Sequence, residues 1–209
     1  GIACAWVPMA AIKPQEFKTL LNTFSSVFTH SSLWFINHDV TTFGILIGTP
    51  AELKIDLKRI ERAFQDPRVR SDLEEIGVTH PFQIPGFLQL DEDGIRQYVG
   101  SAGLHTDDWP VLEFSSPVSY YLYSETFFQN IQETTQLRPT GRDAYMVNIA
   151  PAEQALFARH TIASNLWSQV MLVLAAGPSH ERLLRAIDLS EQALQLVPDQ
   201  PRGTMILRT

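Results

Sequence analysis

The chain reads as an α/β protein whose strands come first and whose helices follow. Three observations carry that expectation. Ile2–Val7 is a short apolar run without alternation, the pattern of a strand covered on both faces. Phe17, Leu20, Leu21, Phe24, Val27 and Phe28 then recur at helical spacing behind Pro14, which suits a first helical turn. Two further apolar runs, 32–37 and 42–48, are separated by about four polar or turn-forming residues around His38-Asp39. So short a connection cannot cross over a sheet, so these two strands are expected to be antiparallel neighbours.

Beyond residue 50 the periodicity is helical. Leu53, Leu57, Ile60 and Phe64 predict a helix over 51–64 ending at Asp66-Pro67, and a second short helix over 70–76 is closed by Gly77. Pro85 and Gly86 interrupt 82–88, which reads as a turn or a single helical turn. Asp91 is placed to cap a helix reaching Tyr98, which Gly100 ends. A long aromatic helix is predicted over 118–136, with Tyr120, Tyr121, Tyr123, Phe127, Phe128 and Ile131. The stretch 151–176 reads as two helices, and Gly177-Pro178-Ser179 separates it from an amphipathic helix over 180–197. Ala186, Ala193 and Pro198 fall at the spacing of the second helix of a tetratricopeptide repeat, although Leu174 and Gly177 depart from the first. The expected division is therefore a sheet over 1–50, helical segments of the same domain over 51–137, a linker over 138–150 and a helical tail over 151–209.

Composition narrows the partners. Sixteen basic residues against 23 acidic ones give a formal charge of -7, with the basic residues scattered, so a nucleic-acid partner is not expected. Cys4 is the single cysteine, which leaves no internal disulfide and suggests a reduced, cytoplasmic setting with Cys4 as a buried thiol in its strand. No apolar run approaches the roughly 20 residues that span a bilayer. The opening Gly1-Ile2-Ala3-Cys4-Ala5-Trp6-Val7 lacks a polar lead-in and reads as a chain entered midway.

The densest stretch is His105-Thr106-Asp107-Asp108-Trp109-Pro110-Val111-Leu112-Glu113-Phe114, behind Gly100 and Gly103. Asp107 and Asp108 cannot both be buried while ionised. They either brace a turn, with Pro110 opening the next segment, or form the wall of a site. Trp6, at the end of its strand, is either a core residue or part of a ligand edge of the sheet. His105 has only Asp107 as an evident partner. The remaining histidines, His30, His38, His80, His160 and His180, are too dispersed to predict a metal site. Ser25-Ser26 and Ser115-Ser116 carry no nucleophile motif.

Several separated blocks resemble one family in the right order. They are Gly1-Ile2 with Ala5-Trp6-Val7-Pro8, Phe17 with 20–28, Leu33-Trp34, Gly44-Ile45-Leu46-Ile47-Gly48-Thr49, and 106–114 with Ser116-Pro117. Together they are similar to the C-terminal half of a spermidine synthase-like domain, of the kind fused to membrane transporter segments in bacteria. The resemblance covers roughly residues 1–137. It implies the C-terminal part of a methyltransferase-type Rossmann sheet, ending in strand, helix, strand and an inserted antiparallel strand, with a mostly helical region after it. It also implies aminopropyl or methyl transfer to an amine acceptor in an intact parent, with Trp6, His105, Asp107, Asp108 and Trp109 on the substrate side. S-adenosylmethionine or its decarboxylated form would be the cofactor of that parent. The glycine-rich turn, ribose-holding acid and general-base aspartate of the family belong upstream of Gly1, so this chain alone is expected to bind no cofactor and to be inactive. Gly1 replaces a polar amine-contacting residue of true spermidine synthases, and Gly103 or Leu104 stands near their acceptor tyrosine. The expected partner is the missing N-terminal half or a second copy of the chain, and the parent is compatible with a membrane-fused protein. The reading from a different class is a non-catalytic interaction or scaffold module with a tetratricopeptide-like tail.

Overall fold

The computed structural model describes residues 1–37 and 41–198, with the side chain of Ser116 left aside. The expected turn at His38-Asp39 lies outside the described residues. The chain opens with strand β1 (Ala3–Pro8), helix α1 (Pro14–Val27), and strands β2 (His30–Trp34) and β3 (Phe43–Thr49). A short strand β4 (Ile55–Asp56) leads into helices α2 (Leu57–Phe64) and α3 (Pro67–Glu75), followed by a 3-10 segment (Pro81–Phe87). Strand β5 (Leu88–Leu90) and helices α4 (Glu92–Val99), α5 (Val111–Ser119) and α6 (Tyr123–Gln136) come next. Strand β6 (Met146–Val147) and helices α7 (Gln154–Ala175) and α8 (His180–Leu196) complete the order.

The protein is mixed α/β, and the chain divides into two compact units that interleave in sequence. The first comprises residues 1–35, 41–53 and 88–139; the second takes 36–40, 54–87 and 140–209. One break falls at 139/140, inside the expected linker, whereas those at 35/36 and 53/54 cut through stretches that read as continuous in sequence.

The first unit holds a four-stranded sheet in the order β1-β3-β2-β5. β2 and β3 are antiparallel neighbours, as their short connection predicts. β3 also pairs antiparallel with β1, Trp6 opposite Ile45 and Cys4 opposite Ile47. β3 is thus inserted between β1 and β2, which run parallel to each other and are joined through α1. Residues directly opposite in such a ladder share a face. One face, with Val7, Leu46 and Leu33, is buried together with Phe17 and Leu21 of α1. The opposite face carries Cys4, Trp6 and Phe43, all exposed. The expectation that β1 is covered on both faces, with Cys4 and Trp6 inside, is therefore corrected. β1 is an edge strand, and its Cys4–Trp6 side is left open to water.

Other departures have local causes. The helix expected over 51–64 begins only at Leu57, because Ile55-Asp56 pairs in parallel with Met146-Val147 and Asp56 then caps the helix through the Arg59 N–H. Asp66 and Pro67 open α3, and Gly77 closes the turn behind it with φ 77°. β5, a strand absent from the reading of 82–88, is only three residues long, and its central Gln89 is buried with its amide donating to Thr134 and Thr135. The aromatic helix begins seven residues earlier than predicted, at Val111, and breaks at the 3-10 turn Tyr120–Leu122 before α6. α7 is one helix rather than two, consistent with the absence of Gly and Pro from 154–176. α4 forms where its cap predicts, with Asp91 accepting from Gly94 N–H at 2.7 Å, and α8 starts directly behind the expected break, with Ser179 accepting from Arg182 N–H at 3.1 Å.

The second unit is built on the α7–α8 hairpin. Ala163, Ala186 and Ala193, each fully buried, let the two helices approach around Trp167, Val170 and Leu189. Among the described residues no helix is long and apolar enough to cross a membrane.

Candidate functional site

The five residues singled out in the sequence lie in the first unit but do not form one site. Asp107 and Asp108 are the two central residues of a tight turn closed by Thr106 and Trp109, whose backbones pair in both directions at 3.0 and 3.3 Å. The Thr106 hydroxyl accepts a further bond from the Trp109 N–H at 3.1 Å. Both carboxylates are exposed, which resolves how two adjacent acids are tolerated: neither leaves water. His105 sits just behind the turn, where its Nδ1 accepts from the Leu112 N–H at 3.3 Å, so the ring braces the start of α5.

The turn is tied to the C-terminal half of α1. The His105 N–H donates to Thr23 Oγ1 at 2.8 Å, and Asn22 Nδ2 donates to the Ala102 carbonyl at 2.7 Å. Trp6 belongs elsewhere. It is 75% exposed near the carboxyl end of β1, with its ring 6.1 Å from that of Phe43. That strand end feeds the N-terminus of α1, and about 10 Å of helix axis separates Glu16 from Thr23. His105, Asp107, Asp108 and Trp109 are thus brought together, and Trp6 stands apart from them.

α5 spans the two ends. Its last residue, Ser119, donates to the Glu16 carboxylate at 2.7 Å, and the same oxygen accepts the Lys13 N–H at 2.7 Å. The next helix begins with Tyr123, whose hydroxyl bonds Thr42 at 2.7 Å. The loop between β1 and α1 is held from the other side by Asn130, which donates to the carbonyls of Met9 and Ile12 at 2.9 and 2.8 Å. That loop includes Ala11 in the left-handed region at φ 59°, a conformation that surrounding structure must enforce. Glu16, Asn130 and Tyr123 therefore shape the carboxyl end of β1, and none stands out as a motif. The available signals are an Asn in a helix interior, which usually marks a side chain with its own partner, and a Glu two residues after Pro14, where helix starts favour acids.

Trp109, Pro110, Val111 and Phe114 line an open groove of about 640 Å³ that begins at Asp108. A second depression of about 300 Å³ lies between α1 and α4, bordered by Asn22, Ser31 and Arg96, next to the His30–Glu92 pair at 2.9 Å.

Perturbed titratable groups concentrate in the second unit. His160 is almost wholly buried, stacked on His80 at 4.5 Å and set edge-on to Phe82. Burial, then the neighbouring His80 and Arg159, pulls its pKa down to about 4. Burial likewise lowers His80. Arg142, wholly buried, donates through both Nη atoms to Asn165 Oδ1 at 3.3 Å, and burial brings its pKa down to about 10. Among the described residues no group of three His, Cys, Asp or Glu side chains is placed to hold a metal ion. Comparison with protein-family models, with curated proteins and with solved structures finds no match to this chain.

Proposed function

We propose that the first unit is the C-terminal part of a spermidine synthase-like, S-adenosyl-type transferase domain, and that it becomes catalytic only when a nucleoside-binding half completes its sheet. The observation that carries this reading is the strand order: β3 enters antiparallel between β1 and β2, which α1 connects in parallel. That is the order expected at the closing end of a methyltransferase-type sheet. The open β1 edge, with Trp6 exposed beside it, is the side on which further strands would add.

In open α/β sheets, ligands bind outside the carboxyl ends of the strands. The acceptor-side surface of this chain is then the end of β1 with Trp6, the loop held by Asn130, and Tyr123. The Asp107-Asp108 turn braces the far end of α5. In the completed domain S-adenosylmethionine or its decarboxylated form would supply the transferred group, and the residues of this chain would bound and orient the amine acceptor. The chain itself supplies the acceptor wall and no cofactor site.

A second reading rests on the α7–α8 hairpin, where alanines at the tetratricopeptide spacing are fully buried: a scaffold whose helical tail binds another polypeptide. Calorimetric titration separates the two. S-adenosylmethionine and its decarboxylated form are titrated into this chain and into a polypeptide carrying the sequence N-terminal to Gly1. Micromolar binding to the longer polypeptide alone is the expected result. No binding to either sinks the transferase reading and leaves the scaffold.

A further inference from the structure

Val111, Phe114, Val118 and Tyr121 recur at three- and four-residue spacing, so they line one side of α5 and of the 3-10 turn that continues it. Such a stripe ordinarily faces a core. Here it faces water, with Phe114 78% and Tyr121 89% exposed. Trp109, 71% exposed, heads the same line across the groove that Pro110 and Val111 border. From Val111 to Tyr121 the stripe runs about 15 Å, roughly three helical turns. Large aromatics exposed together and rimmed by polar residues mark an interaction surface, because each offers a large apolar area at little conformational cost.

The charges beside the stripe select its occupant. Between Arg96 and Arg138 the sequence has no Lys or Arg, while Asp107, Asp108, Glu113 and Glu125 accompany the aromatics. A second copy laid on the same stripe would set carboxylates against carboxylates. An anionic membrane surface would be repelled for the same reason. We propose that this stripe docks an amphipathic helix of another polypeptide whose apolar side is flanked by lysine or arginine. Leucine-sized side chains would fill the groove beside Phe114, and the flanking cations would meet the acidic rim and the faces of Trp109 and Tyr121. The proposal uses a surface that the transferase reading does not need, so the two stand or fall separately.

The test is fluorescence anisotropy of a labelled leucine–lysine amphipathic peptide titrated with the full chain, against a leucine–glutamate peptide of the same apolar pattern. The lysine peptide is expected to bind at least about tenfold more tightly, and to weaken by about tenfold or more in Phe114→Ser/Tyr121→Ser. These side chains are solvent-facing, so circular dichroism of the variant should match the parent. If that variant misfolds, Asp107→Asn/Asp108→Asn/Glu113→Gln supplies the second handle, with an expected loss of the salt dependence of binding. Equal binding of both peptides, no binding of the lysine peptide, or affinity untouched by whichever variants fold overturns the proposal. So does a wild-type dimer that Phe114→Ser/Tyr121→Ser converts to monomer, which would assign the stripe to self-association.

Discussion

Asn130 is the residue whose loss should say most about the first unit. It is fully buried within α6, and its amide donates to the carbonyls of Met9 and Ile12 at 2.9 and 2.8 Å. Its Oδ1 receives a longer bond from the Tyr98 hydroxyl at 3.4 Å. Asn130→Ala strands two carbonyls in a segment where Met9 and Ile12 are themselves buried. A buried polar group without a partner costs about 1–3 kcal/mol, so the pair costs about 2–5 kcal/mol, with the phenol adding less because its bond is long. Domain stabilities are about 5–15 kcal/mol, so a third of the total is at stake. With a urea slope of about 2–3 kcal/mol per molar, the unfolding midpoint should fall by about 1–2 M. Urea titration followed by circular dichroism measures it. Asn130→Asp should be at least as damaging near neutral pH, since a carboxylate would face two carbonyl oxygens. A midpoint unchanged within about 0.2 M in Asn130→Ala would refute the reasoning, because it would mean that water or relaxation satisfies the loop without the amide.

The His160 imidazole, held at a pKa of about 4 against an unfolded value near 6.5, predicts acid sensitivity. Between those values the unfolded chain binds the proton more readily. The associated stability is therefore complete above about pH 6.5 and falls by about 3 kcal/mol as pH drops towards 4. His160→Leu should flatten the unfolding midpoint across that window, and an unchanged slope would count against it. Gly86→Ala would place a Cβ 2.7 Å from Ser164 Oγ and 2.9 Å from its Cβ, against the hydroxyl that donates to the Gly86 carbonyl at 2.6 Å. A loss of about 1–3 kcal/mol in thermal unfolding is expected; a neutral variant would show that α7 yields easily. The uncharged β1 edge and the exposed face with Trp6 and Phe43 predict self-association of the isolated chain. Sedimentation velocity should report a dimer or larger species that Trp6→Lys shifts towards monomer; a well-folded wild-type monomer in dilute solution rejects that prediction.

Much of the secondary structure was legible because its signals are local. The spacing of Phe17, Leu21 and Phe24, the cap Asp91, the break at Gly177-Pro178-Ser179, and the stops at Gly77 and Gly100 act through neighbours a few residues away, so sequence alone places α1, α4 and α8. The antiparallel β2–β3 pair followed from a connection too short for any alternative. The site was less legible. Asp107-Asp108 read as a brace or as a wall, and only the Thr106–Trp109 pairing and the ties to Asn22 and Thr23 set it at the end of α1 away from Trp6.

What the sequence by itself determined is where the longer helices and the β2–β3 pair lie and that two adjacent aspartates cannot both be buried while ionised. What the tertiary structure alone decided is which faces are covered. An apolar strand looks the same in sequence whether one side or both are packed, so the exposure of Cys4 and Trp6 depends on which elements pack against that side of β1. A three-residue strand has no periodicity to read, so β5 exists through its pairing with β2 and the bonds of Gln89. The stripe from Val111 to Tyr121 carries an ordinary core pattern, and its exposure follows from α5 turning its other side, through Ser119, towards Glu16. Burial is a property of the neighbours that arrive from elsewhere in the chain, and those neighbours are fixed only when the chain has folded.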